Sequence, residues 1–400
     1  MRRLLLACLL IAGAINRTEA VDQGGSIEIW VDGYDEGDPT IQGWFRATYA
    51  LDAQPRRWFF VKLAAILELD TNGDFERDTL YDDPDRGLKC APLRFRDLAL
   101  GFRAGETTIV IGRQRLTWKR TTFVNATDNL SPRDWTDPLA ERRLSPWAVD
   151  ATWEHERWSV EGTLVPRYAP SRLPQLNGRW FETQPVPIEL SWGDAVFPPV
   201  SWDTLQGAVR GGYRGSRGEI RASYFRGFDD APRITSDFTT LNRVFLKLEV
   251  AGIDGEVLAG PFVLRGEAGY FHFPGGADNG YALYQVEGEW SRSGWRVIAG
   301  YGGAVGGDPS SSDPASLDQA FLPAVFLYVE KGEATEWQVA FDATVGTEER
   351  DSWVRVSGSY PFTGHVRAGG ELDLISGDAG TFWGRWRNND RLRVFVSFDF

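Results

Sequence analysis

Methionine, histidine and cysteine are nearly missing from this chain. Its 400 residues hold one Met, three His and two Cys. A soluble core of this size normally uses Met to fill irregular gaps. Cys8 lies in an apolar run near the start, which leaves Cys90 alone in the rest, so no intrachain disulfide forms there. Such a chain tolerates an oxidising compartment without being stapled by it. After Ala20 no run of 18 apolar residues occurs, which excludes a transmembrane helix. Basic charge is also short: 43 Lys and Arg against 56 Asp and Glu give −13, a poor balance for nucleic-acid binding. His155, His272 and His365 are scattered, with no nucleophile motif beside them, so catalysis is not expected. No metal-ligand cluster, phosphate loop or haem motif is present, and no cofactor is expected.

Aromatic residues are plentiful, with 17 Trp, 12 Tyr and 24 Phe. Trp and Tyr at this density suit a membrane–water interface. The first residues read as a secretory leader: Arg2 and Arg3, an apolar run from Leu4 to Ala14, and a small-residue cleavage site at Thr18-Glu19-Ala20. The run is too short to span a bilayer as a helix. Residues 1–20 are therefore expected to be a leader and 21–400 a single structural unit. Without the leader the formal charge moves from −13 to −15.

The remainder alternates with a period of two. In the last ten residues Leu392, Val394, Val396, Phe398 and Phe400 share one parity, and Arg391, Arg393, Ser397 and Asp399 the other. Strands are predicted over 25–34, 42–52, 57–69, 93–103, 106–114, 147–154, 157–167, 204–214, 217–227, 241–252, 260–273, 280–290, 294–304, 321–330, 334–345, 351–360, 364–373 and 391–400. Residues 382–390 break the period and read as loop. Connections alternate between tight turns, such as Ala104-Gly105 and Arg292-Ser293, and long loops at 70–92, 115–146, 168–203, 228–240, 305–320 and 374–390. Charge of both signs recurs mid-strand on the polar face. A two-layer sandwich would have to hide many edges and would show no such loop asymmetry. The fold class is therefore all-β: a single transmembrane antiparallel barrel of about 18 strands, with 16 the alternative, lipid outside and a wet lumen inside. A barrel this wide leaves an aqueous channel unless loops fold into it.

These features resemble a Gram-negative outer-membrane β-barrel porin, with long extracellular loops and short periplasmic turns. The resemblance implies a location in the bacterial outer membrane, contact with its lipid, and recognition of the terminal strand by the barrel-assembly machinery through Phe400. It leaves a monomer or a homotrimer open. Ile111-Gly112-Arg113-Gln114-Arg115-Leu116-Thr117-Trp118, followed by the Asn/Asp/Pro-rich stretch from Asn125 to Asp134, is similar to alginate-export-type and related substrate-selective porins. Lys119 stands where that pattern has Gly, so no particular substrate carries over.

The candidate constriction is the loop 115–146 with the strand end before it: Arg113, Arg115, Lys119, Arg120, Asp128, Arg133 and Asp134. Its interleaved Trp118, Phe123, Leu130 and Trp135 want burial, which favours a loop folded into the lumen. Charges brought close there would orient dipolar or anionic solutes. The candidate lumen wall is Arg221, Arg243, Lys247, Glu249, Arg265, Glu267, Glu287, Arg355, Arg367 and Glu371, with Arg296, Asp342 and Asp373 on the same faces. Many of these are expected to pair across strands. The loop 168–203, with Trp180, Phe181, Trp192, Phe197 and Trp202, either caps the mouth or packs on itself. The acidic stretch from Asp70 departs from a calcium loop at Phe75 and Tyr81. The function expected is a channel for diffusion or selective uptake of small hydrophilic or anionic solutes. Export of an anionic polysaccharide is the alternative, with a lipid hydrolase or an adhesive barrel further behind.

Overall fold

The computed structural model describes residues 20–36, 39–140, 142–176, 178–181, 191–237, 239–274, 280–306, 322–332 and 335–400. Residues 1–19 of the expected leader, Glu141 and most of the connection 305–320 lie outside them. In chain order the strands are β1 (Ala20–Tyr34), β2 (Ile41–Arg56), β3 (Phe59–Asp70), β4 (Leu93–Ala104), β5 (Thr107–Arg113), β6 (Trp147–His155) and β7 (Trp158–Val165). Next come β8 (Ser191–Trp192), β9 (Gln206–Arg214), β10 (Gly218–Phe228), β11 (Arg233–Asp237), β12 (Thr240–Val244), β13 (Lys247–Ala259) and β14 (Phe262–His272). The last are β15 (Tyr281–Arg292), β16 (Trp295–Val305), β17 (Ala324–Gly332), β18 (Gln338–Gly346), β19 (Ser352–Pro361), β20 (Val366–Ser376) and β21 (Arg391–Asp399).

Among the described residues eighteen strands form one sheet in which each pairs antiparallel with its neighbours, and β1 pairs with both β2 and β21 to close it. Closure leaves no edge, so the wall strands pair on both sides, which a hydrocarbon surround demands. The seam runs to the last residue: Gly25 and Phe400 exchange both N–H···O bonds at 2.9 Å. The three remaining strands, β8, β11 and β12, make a small separate sheet on the long-loop rim. The residues 382–390 fall in a loop with one short 3-10 turn at Gly384–Trp386, as their broken period predicts.

Tight turns gather on one rim. Gly105 and Gly260 take φ of +60° and +62°, the left-handed values that two-residue hairpins need. Beside these turns lie exposed aromatics: Trp58, Trp158, Phe262, Trp295, Tyr360 and Phe362. They form the interfacial girdle of a membrane barrel. Between the rims the outer surface is a belt of exposed aliphatics, among them Ile29, Val160, Ile253, Val286, Val339, Val394 and Val396. A continuous apolar belt around a closed barrel faces lipid, not water.

Inside, the expected polar face holds on most strands. Glu267, Gln285, Glu287, Asp373 and Arg391 are all at most 5 % exposed, facing a filled lumen. One strand departs. Asp254 and Glu256 of β13 face inward, so Leu248 and Val250, on the same parity, face inward too. Lys247 and Glu249 point outward at the rim, where Glu249 lies 3.8 Å from Arg226. Arg243 is not on the barrel at all; it sits on β12, its guanidinium 5.8 Å from the Trp192 ring. These three leave the lumen wall. Alternation assigned 241–252 to one strand, whereas β12 ends at Val244 and a new strand starts at Lys247. The apolar inner face of β13 exists because something apolar packs on it from within.

Candidate functional site

That object is the loop after β5. Gly112 takes φ +138°, and a Cβ there would lie 2.3 Å from the Leu98 carbonyl oxygen, so only glycine lets the chain leave the wall at this point. The loop then turns inward. Leu116, Trp118, Ala126 and Leu130 pack with Phe225, Leu248, Val250, Phe271 and Leu283 of the inner wall. Ser131 closes the base of the loop, its Oγ donating to Leu116 O at 2.7 Å. The Trp118 indole N–H donates to Glu161 of β7 at 2.6 Å, and the Arg210 guanidinium lies 4.7 Å from its ring.

The loop meets two kinds of wall. On the side of β10 and β13–β15 the wall is acidic. Arg120 reaches Glu219 and Asp254 at 3.2 Å and Glu256 at 3.5 Å. The backbone N–H groups of Arg120, Thr121 and Ala126 donate to Glu267, that of Thr122 to Glu287, and that of Val124 to Gln285. Phe123 stacks on Phe326 of β17 with centroids 4.8 Å apart. On the opposite side, formed by β2–β4 and β19–β21, the wall presents arginines. Asp137 accepts from Arg391 at 2.8 Å, and Arg393 stands 3.8 Å away. Arg355 donates to Leu139 O at 3.1 Å. Asp134 lies 3.7 Å from Arg94 and accepts from the Cys90 thiol. Burial alone would raise the Asp134 carboxyl, but Arg172, Arg142 and Arg94 outweigh it and hold it at about 2. Burial likewise pushes the Cys90 thiol far up, so it stays protonated. The loop is thus a strut across the lumen, acid-held at one end and arginine-held at the other.

Between this strut and β16–β19 a cavity of about 330 Å³ remains. Arg133 and Arg142 of the loop and Arg296 and Arg355 of the wall line it, together with Tyr328, Asp342 and Thr344. Its apolar lining is Phe123, Trp135, Trp353, Phe382 and Trp383. Arg296 is also bonded to Glu289 at 2.9 Å, and Arg355 to Asp373 at 2.7 Å, which fixes both guanidiniums on the wall.

The candidate residues separate clearly. Arg113 is buried at the outer rim, ion-paired with Asp85 of the loop 70–92, and does not face the channel. Strand periodicity could not show this, because the covering loop is remote in sequence. Arg115 is exposed, its backbone N–H 3.5 Å from the Asp97 carboxylate. Lys119 donates to Thr122 O at 3.3 Å, and Asp128 pairs with Arg143 at 3.2 Å, both inside the loop. Arg133 lines the cavity beside Trp135. Of the wall set, Arg221 reaches Glu219 at 2.7 Å, Arg265 reaches Glu289 at 2.6 Å, Arg367 reaches Ser359 at 2.8 Å, and Glu371 lies 3.7 Å from Arg393. Sequence reasoning passed over Trp353 and Tyr328, and left Arg391, placed on the polar parity, out of the lumen wall. Trp353 shares the parity of Arg355 and Tyr328 that of Glu330, so both were readable from it.

The loop 168–203 packs on its neighbours. Trp180 meets Trp386 and Tyr34 edge-on at 6.0 and 6.4 Å, and Phe197 stacks on Phe245 at 5.5 Å. Residues 182–190 of it lie outside the described residues. In the loop 70–92, Asp70 turns its carboxylate onto its own backbone, accepting from Gly73 and Asp74. Among the described residues no group of three His, Cys, Asp or Glu is placed to hold a metal ion.

No family model matches the chain, and no curated protein matches it. Solved structures do. OccD3 (OpdP) of Pseudomonas aeruginosa superposes with a TM-score of 0.55 at 10 % identity, covering 96 % of this chain and 92 % of that one. OccAB4 of Acinetobacter baumannii gives 0.54 at 10 % identity, covering 96 % and 99 %. A BenF-like porin from Pseudomonas fluorescens Pf-5 gives 0.53 at 11 % identity, with the same coverage. The likeness is one of fold along the whole barrel.

Proposed function

We propose that the chain, freed of residues 1–20, is an outer-membrane channel through which small hydrophilic solutes pass at a constriction made by the inward loop. The observation that carries this reading is the strut: a loop crossing the lumen and leaving about 330 Å³ beside β16–β19. The fold shared with outer-membrane barrels supports the location. Permeation needs no bond making; selection comes from the field and width at the narrow point. Four guanidiniums surround the cavity, two of them shared with Glu289 and Asp373, and they still outnumber Asp134 and Asp342 among its lining charges. They favour solutes carrying a carboxylate or phosphate, while the Trp353 and Trp383 rings give such a solute an apolar surface to slide along. Asp342, facing them, would orient a dipolar solute.

Export of an anionic polymer fits less well. It calls for a continuous basic lumen, whereas Arg120, Arg221 and Arg265 are each tied to wall carboxylates. Reconstitution into planar bilayers tests the channel directly. Discrete conductance steps are expected, and the reversal potential of Arg296→Ala/Arg355→Ala should move toward cation selectivity. Absence of current from well-folded protein, or an unchanged reversal potential, would count against the channel and the arginine role respectively.

A further inference from the structure

Residues 114–131 have no regular secondary structure, yet they are packed inside the barrel. Their backbone donors must therefore find acceptors elsewhere. Between Arg120 and Ala126 five of them end on three wall side chains. Glu267 Oε2 accepts from Arg120 N at 2.8 Å and from Thr121 N at 3.2 Å, and Oε1 accepts from Ala126 N at 2.6 Å. Glu287 accepts from Thr122 N at 2.8 Å and from its hydroxyl at 3.0 Å. Gln285 Oε1 accepts from Val124 N, and its amide donates to Glu287 at 2.7 Å. Glu267 and Gln285 are direct cross-strand partners, so the acceptors occupy adjacent rungs of β14 and β15.

Glu267 differs from most of the neighbouring wall acids. Glu219, Glu287, Glu289 and Asp373 each have an arginine partner. Among the described residues Glu267 has no lysine or arginine partner, and it is 4 % exposed. Its charge is met by the loop's N–H groups alone. A charged acceptor makes such bonds short and strong.

A second feature lies behind it. The wall is hollowed where the loop rests. A Cβ on Gly269 would stand 2.2 Å from the Ala126 carbonyl oxygen, one on Gly302 2.9 Å from Val124 Cγ2, and one on Gly252 3.0 Å from Thr127 Cγ2. A side chain at Gly269 would meet loop backbone and push the loop toward the lumen axis, whereas at Gly252 the loop atom met is only the Thr127 methyl.

We infer that Glu267 is the positioning residue of the constriction: a dedicated carboxylate that, with the glycine hollow at Gly269, docks the loop against β13–β16 and so sets the width of the passage. The inference rests on the channel reading but has a readout of its own. A cysteine at position 252 would place its Cβ 3.0 Å from Thr127 Cγ2, within bridging reach of a cysteine at 127. The buried, protonated Cys90 would not compete.

The experiment carries Thr127→Cys/Gly252→Cys in the protein freed of residues 1–20, and so of Cys8, in detergent, with and without Glu267→Ala, and measures disulfide yield under mild oxidation. Each protein is then taken into planar bilayers. Near-complete bridging is expected with Glu267 present and several-fold less without it. Glu267→Ala alone should raise conductance about two-fold or more, as a barrel this wide does when its lumen is freed. Oxidising the engineered pair in the Glu267→Ala background should bring the current back to the wild-type value. Equal bridging and equal conductance with and without Glu267 would overturn the assignment. Should Glu267→Ala not fold, Gly269→Val attacks the same seat from the other side, and unchanged conductance in that variant overturns it equally. A general effect of altering the wall would also appear in Gly162→Ala, whose Cβ meets nothing within 4 Å, and that result too would overturn it. A wild-type protein carrying no current would fail the channel reading only, since bridging still reports where the loop sits.

Discussion

Single residues in this lumen do one of two jobs, and burial tells them apart. Arg113 and Arg391 are nearly as hidden as the aliphatic core, at 2 % and 1 % exposure. Such arginines hold the structure. Arg113→Ala would leave Asp85 with Arg172 alone, and breaking a buried pair costs about 3 kcal/mol. The midpoint of denaturant unfolding should fall while the reversal potential stays where it was; a selectivity change without destabilisation would contradict this placement. Asp134 gives a pH dependence of the same kind. Its folded pKa, about 2, lies below the ordinary 3.8. The stabilisation is therefore complete above pH 3.8 and lost as pH falls through about 2, amounting to about 2 kcal/mol. The stability gap between wild type and Asp134→Asn should be constant from neutrality to about pH 4 and shrink below it. A gap that persists unchanged at pH 2 would show that the charge of Asp134 is not what the arginines hold.

At the scale of elements, the period of two carries most of the structure. On β14, β15, β18, β20 and β21 it separates lipid-facing from lumen-facing residues correctly, because the mid-strand charges of those strands share the inner face, even where Phe271 and Leu283 on that face meet the loop. It misleads on β13. There the inner face is apolar at Leu248 and Val250, which meet Leu116 and Trp118 of the loop, and polar at Asp254 and Glu256, which meet Arg120. Alternation assumes a wet lumen, and a loop inside the lumen changes that assumption locally. The inward loop itself was readable from its interleaved Trp118, Phe123 and Leu130. Its partners were not: parity put Glu267 and Glu287 on the lumen face, but nothing local ties them to a loop more than a hundred residues away. The inverted face makes a direct comparison available. Val250→Glu should lower the unfolding midpoint strongly, by about 3 kcal/mol for a charge placed in a packed apolar cluster. Glu249→Leu, one position along and facing out, should cost under about 0.5 kcal/mol. Equal costs would place both residues on the wrong faces.

As a whole, the molecule is a closed wall whose outside is greasy and whose inside is charged. The even strand number brings Ala20 and Phe400 to the same rim, beside the tight turns. The long connections on the other rim are unequal partners. The loop 168–203 and the segment 377–390 pack on one another through Trp180, Trp383 and Trp386, forming a lid region over Ile375 and Leu139. Among the described residues the loop after β5 is the one that crosses the lumen. Width at the narrow point therefore depends chiefly on that segment, with Phe382 and Trp383 of the segment 377–390 lining the same cavity. The most direct measurement is single-channel conductance in planar bilayers before and after replacing residues 116–143 with a short glycine–serine link, with barrel folding checked by the shift in gel mobility on heating. A several-fold larger conductance in the shortened protein, with loss of ion selectivity, is the result expected of an open 18-strand barrel. A folded barrel whose conductance is unchanged by the excision, or which conducts in neither form, would contradict a channel constricted by this loop.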